Sequence, residues 1–186
     1  MEKSSKKFVI IDAMALTYKA YFAFINRPLV TTKGEPTSAV FGFLSQLIKI
    51  LGDNKPDYVA VAFDSKGKTF RHDKYENYKS SRAAMPDDMI PQLDRIKQII
   101  ELLKIPIYIL PKYEADDIIG TAVREAAEKG LESFVFTPDK DFNQLVTDKG
   151  KIVRPGKAAD EIVIFDVQKV KEEFYFKVHW ISNLFW

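Results

Sequence analysis

The chain has 186 residues, 46% of them hydrophobic, and a net charge of +2. That length suits one domain, or one domain with a small appendage, with enough apolar side chains for a core. Cysteine is absent and the histidines are only two, His72 and His179, which excludes disulfides and thiolate metal sites and leaves oxygen as the main donor for any metal.

The predicted elements run in order from a strand-like stretch, Phe8 to Ile11, ending at Asp12. The opening residues MEKSSKKFVIID lack the apolar run and small-residue cleavage site of a signal peptide. Pro36, Thr37 and Ser38 then open a helix with Val40, Leu44, Leu47 and Leu51 on one face. Tyr58 to Phe63 reads as a second strand, ending at Asp64. Pro86 and Asp87 open a helix carrying Leu93, Ile96, Ile100 and Leu103 in register. Ile105 to Leu110 reads as a third strand, leading into Tyr113 and Glu114. Asp116 and Asp117 open a helix through Ile118, Ala122 and Ala126, stopped by Gly130. Phe134 to Thr137 is a fourth strand, leading into Asp139. Lys151–Arg154 and Ile162–Phe165 form a hairpin around the polar stretch 155–161, and Asp166 to Tyr175 reads as a helix. Strands that alternate with helices predict an α/β fold, with a mostly parallel central sheet flanked by helices. No apolar run is long enough to span a bilayer, so no membrane partner is expected, and a cytoplasmic setting fits.

The carboxylates share one structural position. Asp12, Asp64, the Glu114/Asp116/Asp117 set and the Asp139/Asp141 pair each follow the C-terminal end of a predicted strand. Open α/β sheets bind ligands beyond those ends. Singly, each has a plain structural role: Asp12 as a turn or helix cap, Glu114 to Asp117 as complements to a helix dipole, Thr-Pro-Asp-Lys-Asp as a turn. Together they crowd like charges that only divalent cations offset. Oxygen donors from several strands suit Mg²⁺ or Mn²⁺, and such a site can hold two ions about 4 Å apart. No Gly-x-x-x-x-Gly-Lys-Ser/Thr loop points to nucleotide hydrolysis. A phosphatase using Asp12 as nucleophile typically has a second Asp two residues on, where this chain has Met14.

Residues 65–82, SKGKTFRHDKYENYKSSR, follow Asp64 directly. Six cations (Lys66, Lys68, Arg71, Lys74, Lys79, Arg82) stand against Asp73 and Glu76, a net +4 with His72 neutral. Phe70, Tyr75 and Tyr78 are interleaved among them. Cations that track phosphates and rings that stack on bases compose a single-strand binding surface.

The motifs VAFD (61–64), FRHDKYENYKSSR (70–82), YEADD (113–117) and TPDKDFNQL (137–145) resemble the 5′ nuclease domain of bacterial DNA polymerase I and the flap endonucleases of the PIN-like superfamily. The opening VIIDAMALTYKAYFA fits the same pattern, and the match covers about residues 7–174. The resemblance implies a 5′-3′ exonuclease or flap endonuclease that removes 5′ flaps and primers in DNA replication and repair. It implies a helical arch or loop at about 65–92 and a place within a larger polymerase polypeptide. It makes Asp12, Asp64, Glu114, Asp116, Asp117, Asp139 and Asp141 the metal-site carboxylates, with Asp12, Asp64, Asp116 and Asp117 catalytic. Lys79 and Arg82 would clamp the scissile phosphate, and Arg71, Tyr78, Lys79 and Arg82 would contact DNA. The family continues into a Gly-Asp-x-x-Asp-Asn motif and a helix–hairpin–helix element that grips duplex DNA. Here FYFKVHWISNLFW stands instead, so residues 1–174 read as the nuclease domain and 175–186 as a divergent or truncated tail. That departure admits an alternative, a catalytically impaired fragment that binds single-stranded or branched DNA.

Overall fold

A computed structural model describes residues 5–75, 78, 84–155 and 161–173. Strand β1 (Lys7–Asp12) lies at the centre, paired in parallel with β2 (Tyr58–Ala62) on one side and β4 (Glu132–Phe136) on the other. β3 (Ile107–Tyr108) extends the sheet beyond β2; β5 (Gly150–Pro155) and β6 (Ile162–Phe165) extend it beyond β4. The strand order is β3-β2-β1-β4-β5-β6, parallel except for the antiparallel β5–β6 hairpin. The mostly parallel sheet and terminal hairpin are as the sequence predicts.

The composition of β1 follows from its position. Successive side chains point to opposite faces, so a strand covered on both sides needs an unbroken apolar run. Val9 and Ile11 enter a core with Phe43 and Leu47 of α2 (Ser38–Asn54) and Ile96 and Ile100 of α4 (Ile90–Leu102). Phe8 and Ile10 enter the opposite core, with Ile119, Val123 and Ala126 of α5 (Ala115–Glu128).

Several boundaries differ from expectation. Helix α1 (Ala13–Ala23) is absent from the periodicity reading, because its apolar residues run around the helix instead of down one face. The third strand shrinks from six residues to a two-residue edge. Pro106 cannot donate to a ladder, and Lys104 and Lys112 adopt positive φ on either side of the stretch (56° and 70°). The Pro86 helix starts at Ile90, after a turn, and Leu103 lies beyond its end, half exposed. Within 65–92, where an arch or loop is expected, the described residues include a five-residue helix, α3 (Phe70–Lys74), and the start of α4; residues 76, 77 and 79–83 lie outside the described residues. The expected helix after Asp166 is present over residues 167–173; the tail 175–186 lies outside the described residues.

Helices α1 and α2 cross closely at Gly42, where an added Cβ would sit 2.8 Å from the Ala20 Cβ and 3.2 Å from its Cα. Overpacking of this kind costs roughly 1–3 kcal/mol. Gly42→Val is therefore expected to lower the urea midpoint without changing the slope of the transition. An unchanged midpoint would show that the helices part freely there.

Candidate active site

Asp12 closes β1 and caps α1 in one stroke. Its carboxylate accepts hydrogen bonds from the Ala15 N–H (3.1 Å) and from the Thr137 hydroxyl (2.9 Å), just past β4. It is only 5% exposed. Burial pushes its pKa above the ordinary aspartate value, the neighbouring charges of Asp64 and Asp139 push the same way, and its two hydrogen bonds pull back.

Asp64, two residues beyond β2, accepts from the N–H of Ala115 at 2.7 Å. This bond ties the edge of β2 to the N-terminus of α5, where backbone N–H groups lack helical partners and a carboxylate is favoured. Thr137 continues the chain of bonds: its hydroxyl oxygen accepts from the Asp139 N–H (3.1 Å), and Asp139 accepts from the Asp141 N–H (2.9 Å). Asp12, Asp64, Asp116 and Asp139 thus line one cleft of about 620 Å³, together with Lys66 and Lys97.

The remaining acids are placed differently. Asp141 is exposed, at the start of a short 3-10 turn, and is not among the cleft's lining residues. Glu114 and Asp117, expected as metal ligands, engage one protein cation and protein hydrogen-bond donors in this structure. Arg71 of α3 grips Asp117 with two hydrogen bonds of 2.7 Å and approaches Glu114 at 3.5 Å. The Tyr78 hydroxyl donates to Glu114 at 3.0 Å, and the Glu114 N–H donates to Asp117 at 3.1 Å. Arg71 and Tyr78, expected to contact DNA, lie against the acids at the start of α5. The hydrogen bonds from Arg71 to Asp117 strengthen the hold on its proton further. Lys79 and Arg82 lie outside the described residues. Among the described residues, no three Asp, Glu or His side chains are gathered tightly enough to form a ready-made ion site.

Three supporting residues escaped the sequence reading. Thr137 links two acids, and the hydroxyl immediately after β4 was its only signal. Arg154, at the end of β5 and 6% exposed, donates to the Lys140 carbonyl (3.4 Å) and to the Asn143 side chain, and stacks on Phe165 at 4.0 Å. It thereby fixes the turn that follows Asp139. Lys97 holds its ammonium 5.0 Å over the Phe63 ring in the cleft wall. Neither Arg154 nor Lys97 belongs to a local motif, and only the sheet edge brings them near the acids.

A mostly parallel sheet with acids from three of its strand ends and from α5 in one cleft defines an α/β domain with an acidic pocket at the C-terminal edge of its sheet. A zinc-bound T5 5′-exonuclease superposes with a TM-score of 0.68 at 18% identity, over 90% of this chain and 60% of that one. The chain belongs to the 5′-3′ exonuclease family: residues 7–175 match the model described as its N-terminal resolvase-like domain. DNA polymerase I of Chloroflexus aurantiacus is 43% identical over 168 residues, covering 89% of this chain and 18% of that protein. The 5′-3′ exonuclease of Aquifex aeolicus is 37% identical over 169 residues, covering 91% and 56%. The chain thus spans about a fifth of the polymerase and just over half of the exonuclease.

Proposed function

We propose that the chain is a divalent-metal-dependent 5′ nuclease module that hydrolyses phosphodiester bonds at 5′ flaps and single-stranded 5′ ends of DNA. One observation carries the proposal: four carboxylates from separate segments line one cleft, beside a strongly basic segment that starts at the same edge. The donor set fits a hard cation. It is all oxygen, and its most buried member has its pKa raised by burial and by two acidic neighbours, a conflict that a bound Mg²⁺ or Mn²⁺ relieves. Asp12, Asp64, Asp116 and Asp139 would hold the first ion; Asp141 and Glu114 are nearest in sequence to serve a second. A divalent ion in this cleft supplies Lewis acidity toward phosphate oxygens and acidifies water.

The chain's own residues do the positioning. The Ala15 and Thr137 bonds hold Asp12 in one rotamer, so its oxygens need no reorganisation. Lys66 and Lys97 give the acidic cleft a cationic wall for the phosphate backbone. Lys79 and Arg82 follow in the same basic segment and are proposed to clamp the scissile phosphate. The Tyr75 ring, 66% exposed, offers a stacking face to an unpaired base. Its likeness to a small part of several DNA polymerase I chains supports reading it as a module of a larger polymerase polypeptide, with a proposed cytoplasmic role in primer removal and repair. Among the described residues no helix is long and apolar enough to cross a membrane.

Commitment of Glu114 and Asp117 to Arg71 and Tyr78 favours a second reading, binding of branched DNA without cleavage. A 5′-flapped duplex separates the two. Cleavage is expected with Mg²⁺ or Mn²⁺, none in chelator, and a loss of about 10³-fold in Asp116→Ala. Salt-sensitive binding with no cleavage in either metal selects the second reading, and no binding at low salt rejects both.

A further inference from the structure

The acids of this site are divided by Arg71. Its guanidinium forms the bidentate pair with Asp117 and stands 3.5 Å from Glu114, while Asp12, Asp64, Asp116 and Asp139 line the cleft. Asp117 faces a different groove, beside Ile107, Tyr108 and Thr121. It also accepts from the backbone N–H of Glu114, which anchors its carboxylate to the helix start. A carboxylate with both oxygens in a two-pronged guanidinium pair and a further backbone bond has three of its roughly four acceptor sites taken by protein donors.

We propose that Arg71 is a positioning residue that serves as a built-in cation for Asp117, and that Asp117 anchors the basic segment to α5 instead of ligating a divalent ion. The tether is continuous. The Thr69 N–H bonds the His72 ring at 3.0 Å, and the Phe70 N–H donates to the Lys112 carbonyl at 2.9 Å. Phe70 packs on Tyr113 at 5.5 Å, and His72 meets the Tyr78 ring edge-on at 5.3 Å. Through these contacts α3 is fastened to the Lys112–Glu114 approach to α5, and the start of the basic segment is held beside the cleft. The neutral Arg71–Asp117 pair also removes one negative charge from the field around the cleft.

Mn²⁺ binding to the chain without DNA tests this, read from the paramagnetic resonance of the free ion. Arg71→Gln is expected to tighten binding about threefold, and Asp117→Asn to weaken it by no more than about threefold, as one unit charge does through a largely aqueous path. The double variant, which excises a neutral pair, is expected to return to the wild-type value. Asp116→Asn, a cleft carboxylate, is expected to lose at least about tenfold, the lower bound seen when even a partner behind a metal ligand is removed. Circular dichroism confirms that each variant is folded, and the double variant keeps the comparison valid if Arg71→Gln alone is unfolded. A double variant that binds as weakly as Asp116→Asn, or an Arg71→Gln affinity equal to or below wild type, overturns the proposal. It rests on the nuclease reading for its cation. If the wild-type chain binds no Mn²⁺, both fall; if it binds Mn²⁺ and the double variant is weak, only the Arg71 assignment falls.

Discussion

Asp12→Asn is expected to abolish flap cleavage, by about 10³-fold or more, and at the same time to raise the melting temperature of the metal-free chain. The two effects share one cause. Asp12 is buried with its pKa raised above 3.8 by that burial and by Asp64 and Asp139. A carboxyl whose native pKa is raised holds its proton more tightly folded than unfolded, so stability falls as pH climbs from 3.8 through the higher native value. Above that value the penalty is fully present. Asparagine offers an amide oxygen in place of the carboxylate oxygen that accepts from Ala15 N–H and is a good helix cap, while removing the charge. In chelator at pH 7 the variant should melt about 2–4 °C higher, the shift that roughly 1 kcal/mol produces in a domain of this size. Its pH dependence should flatten over the same window. Added Mg²⁺ should stabilise the wild type and leave the variant unmoved. A variant that melts lower than wild type in chelator would show that the Thr137 bond outweighs the burial of charge.

Asp64→Ala should eliminate cleavage to a similar extent with the opposite effect on stability. Asp64 is only partly buried, and its Oδ1 accepts the 2.7 Å bond from Ala115 that seats α5 against the end of β2. Losing a charge-assisted bond of this kind costs about 1.5–3 kcal/mol. Melting in chelator should fall by roughly 3–12 °C. Two acids in one cleft thus carry opposite signs, and scanning calorimetry of the pair without metal reads both. Equal shifts in the same direction would contradict the division of roles between them.

The sequence displays most of this fold because its strands are simple. Phe8–Ile11, Tyr58–Phe63 and Phe134–Thr137 are apolar on both faces, and only a covered parallel strand needs that pattern. The acids were legible for a related reason, since each follows a strand and a parallel sheet carries all such ends to one edge. Helix α1 was hidden because Met14, Tyr18 and the exposed Phe22 lie outside its buried face, so its apolar residues have no single stripe. The edge strand at Ile107–Tyr108 looked longer than it is, because Ile109 and Leu110 are apolar yet nearly half exposed. The division of the carboxylates could not be read at all. Asp116 and Asp117 are adjacent in the chain, but successive residues on a helix point about 100° apart, and Arg71, 46 residues away from Asp117, takes only one of them. For the same reason, Arg71 and Tyr78 look like nucleic-acid ligands in a basic, aromatic stretch, and nothing local marks their bonds to Asp117 and Glu114.

Helix α1 is a stiff rod clamped at both ends. Asp12 pins its start to the cleft, and near its far end the Tyr21 hydroxyl donates to Asp88 at 2.8 Å, in the turn that leads from the basic stretch into α4. Ala20, the residue before Tyr21, bears on Gly42. Any shift of the rod along its axis would therefore be passed to the acid at its tip. Adaptation of such a domain to heat or cold could proceed at Gly42, Ala20 or Asp88, retuning turnover while every acidic group in the cleft stays the same.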